Sequence, residues 1–234
     1  MCGRFTLAVP REQLIEHFGG LEAPDFFLPR YNIAPGQPVL LIPNTEARMI
    51  EAYHWGLVPF WATDKKIANK MINARAETVA EKPAFRQAFR RRRCVVLASG
   101  YYEWKKFEGA KVPMYIRRQD QQLIGFAGLW EEWAPKDADE DAEKHKSCTI
   151  ITTEPCAAVR AIHHRMPAVL EATDYEKWLD PQPVEDRESL AKLLRPFDGA
   201  ELEAYPVARI VNTPAVDGPE CIERVAPPAQ LDLF

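Results

Sequence analysis

No apolar run in the 234 residues approaches the ~18 needed to cross a bilayer, and the start Met1-Cys2-Gly3-Arg4-Phe5-Thr6 lacks the basic-then-apolar pattern of a secretory signal. A membrane protein is excluded as a first reading, and a cytoplasmic location is expected. No two of the five cysteines (Cys2, Cys94, Cys148, Cys156, Cys221) form a Cys-x-x-Cys pair, and their number is odd. That argues against both a disulfide framework and a thiol-rich zinc site, so reduced thiols are expected. His17, His54 and His145 have no metal-ligand spacing with one another or with the thiols, so neither a metal nor another cofactor is expected. An internal repeat and a mid-chain linker are also missing.

What is present belongs to an ordinary globular protein, with 47% hydrophobic and 27% charged residues. The length allows one large domain or two small ones. A net charge of -4 conceals an asymmetry: residues 1–118 carry 19 Lys and Arg against 11 Asp and Glu, whereas residues 119–234 carry 11 against 23. An anionic partner fits the first half if its charges share a face.

Cys2–Leu7 reads as a short strand, and Pro10–Phe18 as a helix with Pro in its first turn and Gly19-Gly20 as its stop. Residues 21–37 read as loop. Strand patterns follow at Pro38–Pro43, Arg48–Trp55, Cys94–Ser99, Tyr101–Lys105, Val112–Arg117, Gln122–Leu129, Ser147–Thr153 and Pro167–Leu170. Helical patterns occur at Lys82–Arg90, Thr173–Leu179 and Asp186–Leu194. The class is α+β, and connections too short for helical crossovers predict a largely antiparallel sheet. Residues 136–146 read as a solvated excursion. The run Arg90–Arg93 reads as solvated charge, because four successive side chains cannot all point one way. Trp61 and Trp130 are assigned to the core.

Cys2 carries the most chemistry. Removal of Met1 would leave an α-amine and a thiol on one residue, a 1,2-aminothiol. With a reference pKa of ~7.8 the amine is roughly 25–30% unprotonated near pH 7.4, against roughly 0.1% for an unperturbed lysine. The amine can form an imine with an aldehyde, and the thiol can close it to a five-membered thiazolidine. The plain alternative is that Cys2 is simply a small residue after the initiator.

Six blocks extend this reading: Met1-Cys2-Gly3-Arg4-Phe5, Arg30-Tyr31-Asn32-Ile33-Ala34-Pro35-Gly36, Trp55-Gly56-Leu57-Val58-Pro59, Ile72-Asn73-Ala74-Arg75-Ala76-Glu77-Thr78, Gly100-Tyr101-Tyr102-Glu103-Trp104 and His163-His164-Arg165-Met166-Pro167. In order and spacing they resemble the SOS response-associated peptidase (SRAP) family from residue 1 to about residue 225. The resemblance implies a single domain on a barrel-like, largely antiparallel sheet with peripheral helices. It also implies capture of abasic sites in single-stranded DNA through a thiazolidine cross-link at Cys2. The family's other catalytic positions fall on Asn73, Glu103 and His163. An amide at Asn73 can orient the amine or the sugar without titrating. Glu103 would carry the proton for carbinolamine dehydration and its reverse. His163 would protonate the sugar ring oxygen. Structural readings stand beside these: Asn73 in a turn, Glu103 facing solvent from a strand, His163 a satisfied surface imidazole.

Arg4, Arg75 and Arg165 match the family's phosphate-contacting arginines, whose forked donors suit phosphate. Trp55 and Trp104 are candidates for stacking on flanking bases. Residues 1–225 form the expected domain and 226–234 a tail, in which Gln230-Leu231-Asp232-Leu233-Phe234 follows a proline-rich spacer. This pentapeptide resembles the peptide by which bacterial replication proteins dock on the sliding clamp. The expected setting is the replication fork, and the expected state a monomer. Two other functions use the same residues: an N-terminal-nucleophile cysteine hydrolase, and a non-covalent reader of modified single-stranded DNA.

Overall fold

The computed structural model describes residues 2–139, 141–197 and 201–226. Its strands, in chain order, are β1 (Phe5–Leu7), β2 (Arg30–Ile33), β3 (Pro38–Pro43), β4 (Glu51–Trp55), β5 (Asn73–Arg75), β6 (Arg93–Ala98), β7 (Gly100–Phe107), β8 (Ala110–Arg118), β9 (Ile124–Trp133), β10 (His145–Thr153), β11 (Met166–Pro167), β12 (Val169–Leu170) and β13 (Leu202–Pro206). The α-helices are short and peripheral: α1 (Arg11–His17), α2 (Arg86–Arg91), α3 (Ala157–Arg160), α4 (Tyr175–Trp178) and α5 (Arg187–Ala191).

Five strands close a barrel in the order β4, β3, β6, β9, β10 and back to β4. Every pairing in the ring is antiparallel except the closing one, where β10 runs parallel to β4. Closure removes the free edges that an open sheet of this size would present. The short strands β5 and β11 pair with β10 and β12 pairs with β9, while five further strands build an open sheet in the order β13, β8, β7, β1, β2. Side chains alternate faces along it. Tyr101 and Ile116 join the main core with the barrel, whereas their neighbours Tyr102 and Tyr115 pack with Tyr205, Val207, Val211 and Cys221 on the other face. Gly100 is glycine for want of room, since a Cβ there would run into the ring of Tyr115, whose hydroxyl bonds Thr6 Oγ1 at 2.9 Å.

Several expectations change. The stretch read as loop contains β2, which lacks an apolar alternation and is ordered from outside. Asp217 accepts from the backbone N–H of Tyr31 at 2.5 Å and of Asn32 at 2.7 Å, and also from Arg30 Nε. One carboxylate thus caps the sheet's outer edge. Of the arginine run, Arg93 is not solvated. It is fully buried, and its guanidinium donates to the carbonyls of Trp178 at 2.9 Å, Arg90 at 2.9 Å, Phe89 at 3.2 Å and Asp180 at 2.5 Å. Burial lowers its pKa to about 10. Its neighbour Arg92 pairs with the buried Glu131 at 2.7 Å. Trp61 leaves the expected core and is 43% exposed, beside the exposed Phe60. Among the described residues, no helix is long and apolar enough to cross a membrane.

Candidate active site

Cys2 lies just before β1, fully buried. Its strand is pinned against β7, with Phe5 opposite Tyr101 and the Tyr102 N–H donating to Arg4 O at 2.9 Å. Continuing that antiparallel register brings the start of the chain alongside Glu103. Asn73 opens β5, which lies parallel to the far half of β10 with Asn73 opposite Ile150. From there its Nδ2 donates to the carbonyl of Cys2 at 2.7 Å. His163 follows α3 on the way to β11, and its Nδ1 lies 3.6 Å from Glu103 Oε1. Residues from four separate segments of the chain therefore meet where the open sheet abuts the barrel.

Electrostatics differentiate these groups. Burial, and secondarily the Glu103 carboxylate, pushes the Cys2 thiol well above its ordinary range, while the Arg4 backbone N–H works the other way. The sulfur is held neutral. Burial also raises the Glu103 pKa, so its carboxyl keeps a proton to higher pH than usual. His163 moves in the opposite direction: burial lowers its pKa, partly offset by its backbone bond with Arg165. The two shifts draw the carboxyl and the imidazole closer together in proton affinity than in water, which suits proton exchange between them. Tyr101 is a buried neighbour that sequence reasoning passed over. Its pKa is raised by burial and then by Cys2. It lies within Gly100-Tyr101-Tyr102-Glu103-Trp104, but a tyrosine in a strand carries no signal separating site from core.

The expected DNA-contacting residues divide. Arg75 is exposed on β5. Arg165 forks onto Glu77 at 2.6 and 3.0 Å and also donates to Thr152 O at 2.5 Å. Arg4 is 8% exposed, with Nη1 donating to Asn32 Oδ1 at 2.6 Å and to Val211 O. Any phosphate contact is left to the rest of that guanidinium. Trp104 lies at the mouth of the site, half-buried, with Nε1 donating to Asn212 Oδ1 at 2.8 Å and the Arg4 guanidinium 6.0 Å from its ring centroid. Trp55 does not serve as a stacking platform. It is 1% exposed, donates Nε1 to Ile72 O at 2.8 Å and meets Phe5 edge-on at 5.1 Å. Exposed aromatic faces lie instead on Phe60 and Trp61, five and six residues further along. Gln230-Leu231-Asp232-Leu233-Phe234 lies outside the described residues. Among those described, no group of three or more His, Cys, Asp or Glu is placed to hold a metal ion.

Comparison with known proteins places this arrangement in context. A profile of the SOS response associated peptidase (SRAP) family matches residues 1–214. Abasic site processing protein YoqW of Bacillus subtilis (strain 168) is 42% identical over 231 residues, covering 95% of this chain and 99% of its own. Abasic site processing protein HMCES of Xenopus tropicalis is 32% identical over 232 residues, covering 86% of this chain and 68% of its own. A crystal structure of a protein from Bacteroides thetaiotaomicron superimposes with a TM-score of 0.84 at 28% identity, over 96% of this chain and all of that one.

Proposed function

The chain belongs to the SOS response associated peptidase family, and from that premise we propose that it captures abasic sites in single-stranded DNA as a thiazolidine on Cys2. The observation that carries the reading is the convergence of Cys2, Asn73, Glu103 and His163 on one point, with Asn73 Nδ2 2.7 Å from the Cys2 carbonyl and His163 Nδ1 3.6 Å from Glu103.

Met1 must first be removed, and the small second residue suits that cleavage. The free α-amine of Cys2 then attacks C1 of the ring-opened sugar, forming a C–N bond and a carbinolamine. Glu103 gives its proton to the carbinolamine hydroxyl, which leaves as water, and the nitrogen's proton is lost as the imine forms. Cys2 Sγ adds to the imine carbon while the thiol proton passes to the nitrogen, so the net reaction releases one water. A thiol kept neutral does not compete with the amine for the aldehyde, and this orders the two additions. Asn73 fixes the Cys2 backbone and so aims both nucleophiles, an entropic contribution. His163, neutral beside Glu103, takes up and returns the proton. Arg75, Arg165 and Trp104 guide the strand, and Trp61 replaces Trp55 as the aromatic platform.

Mature protein incubated with an abasic single-stranded oligonucleotide should give a product of retarded mobility on a denaturing gel, and Cys2→Ala should give none. Cross-linking that persists in Cys2→Ala defeats the mechanism, and peptide cleavage without cross-linking favours the cysteine hydrolase. We propose also that the tail 226–234 docks on a sliding clamp, bringing the protein to replication forks. Leu231, Leu233 and Phe234 would fill an apolar groove while Gln230 and Asp232 make polar contacts. The isolated peptide should bind purified clamp and Phe234→Ala should weaken it; equal binding by a scrambled peptide overturns the idea.

A further inference from the structure

Lys106 on β7 and Lys111 on β8 stand directly opposite each other in the hairpin register. Like charges at directly opposed positions destabilise a sheet. Elsewhere in the protein such positions carry opposite charges: Arg117 faces Glu203 between β8 and β13, and Lys146 faces Glu132 between β10 and β9. Both Lys106 and Lys111 are exposed, and among the described residues neither ammonium is within ion-pair distance of a carboxylate. The hairpin carrying them closes in a tight turn. Phe107 pairs with Ala110 across a two-residue turn in which Glu108 and Gly109 have φ of 44° and 79°, the geometry that matches strand twist.

The position of the pair gives it meaning. Together with Glu103, Trp104 and His163, the two lysines line a cavity of about 280 Å³. Trp104 and Lys106 are two residues apart and share a face of β7, while Lys106 lies about 10 Å along the strand from Glu103. A nucleotide whose sugar is held at Cys2 and Glu103 would place its neighbouring phosphate near the lysines. One phosphodiester anion between two ammonium groups removes their repulsion.

We propose that Lys106 and Lys111 form a clamp for a phosphodiester group adjacent to the captured sugar. The proposal rests on the abasic-site reading above and assigns the pair to DNA binding, apart from the proton transfers at Glu103. It also explains why a like-charge pair is tolerated there. The strand supplies the missing counter-charge.

The test uses mature protein and an abasic single-stranded oligonucleotide, with the cross-linking rate followed against DNA and salt concentration. In the double variant K106Q/K111Q the half-saturating DNA concentration should rise several-fold at low salt, with the effect falling there and not on the rate at saturation. The log–log salt dependence should become shallower by about 0.7, the value for one phosphate on a single strand. Replacing the flanking phosphates one at a time by uncharged methylphosphonate should, at one position, weaken capture by the unsubstituted protein but not by K106Q/K111Q. K111E adds a control that a merely structural role fails, because it creates an opposite-charge pair. The Tm should hold or rise while capture weakens. An unchanged salt dependence and half-saturation in K106Q/K111Q overturns the clamp, as does a parallel fall of Tm and capture in K111E. Failure of the unsubstituted protein to cross-link any abasic oligonucleotide overturns the abasic-site reading itself, whereas normal cross-linking with no effect in K106Q/K111Q overturns the clamp alone.

Discussion

Cys94 and Cys148 in the barrel are as fully buried as Cys2 where the open sheet meets it, and burial raises all three thiols. The two barrel cysteines have each other for neighbours. Cys94 Sγ sits so close to Gly128 that a Cβ there would approach it to 2.9 Å. Around Cys2, by contrast, stand a carboxyl with a raised pKa, an amide on its own carbonyl and an imidazole 3.6 Å beyond. Burial makes a thiol inert, and the polar groups brought to it decide whether it is also a reactive centre.

The sharpest way to break that contrast is to remove each sulfur in turn. Cys2→Ala should abolish the covalent product entirely. Cys94→Ala and Cys148→Ala should leave it intact and instead cost about 1 kcal/mol of stability through a small void, lowering Tm by about 2–4 °C. A denaturing gel and a melting curve on the same samples separate the outcomes; loss of cross-linking in folded Cys148→Ala would end the distinction.

Glu103→Gln keeps the shape of the site and removes its proton, so both formation and reversal of the cross-link should slow by about 10²–10⁴. The pH profile fixes the sign. Amine reactivity grows as pH rises through the α-amine's reference pKa of ~7.8. Proton donation by Glu103 is complete below its raised pKa and is lost as pH climbs through it. The unsubstituted protein should therefore show a falling alkaline limb, and Glu103→Gln should lack it while retaining the rise.

The two tryptophans transfer the comparison from thiols to rings. Trp55→Ala empties a core position packed on Phe5, with an expected cost of about 3–5 kcal/mol in stability. Trp61→Ala should leave stability nearly unchanged and cost about 1–3 kcal/mol of single-strand affinity. Fluorescence-monitored unfolding and filter binding distinguish them, and a stability loss at Trp61 would return it to the core assigned from sequence.

These rings also show where sequence reading ends. β3 was legible residue for residue, because Pro38–Pro43 is an apolar run between turn signals. β2 was not, because its order comes from Asp217, nearly the whole chain away. The parallel pairings of β10 with β4 and β5 were likewise invisible, since neither is implied by short connections. Cys2 could be argued from chemistry alone, but Asn73, Glu103 and His163 needed the family resemblance. Nothing local marks an asparagine whose partner lies 71 residues away. Trp55 and Trp61 are the same residue type six positions apart, and only tertiary packing tells the buried ring from the exposed one.

The smallest effect tests the edge of the site. Arg165 is assigned to phosphate, yet its fork already holds Glu77, whose own pKa is lowered chiefly by that hydrogen bond. Glu77 therefore stays ionised across the range in which the amine and Glu103 titrate, so the competition between carboxylate and phosphate for Arg165 adds no pH dependence of its own. A half-exposed ion pair is worth about 0–1 kcal/mol. Glu77→Gln should thus cost less than that in stability while releasing Arg165, and single-strand affinity should rise by a few-fold at most. If affinity falls instead, Glu77 is orienting the guanidinium for the strand, and the carboxylate belongs to the binding surface as a positioning group.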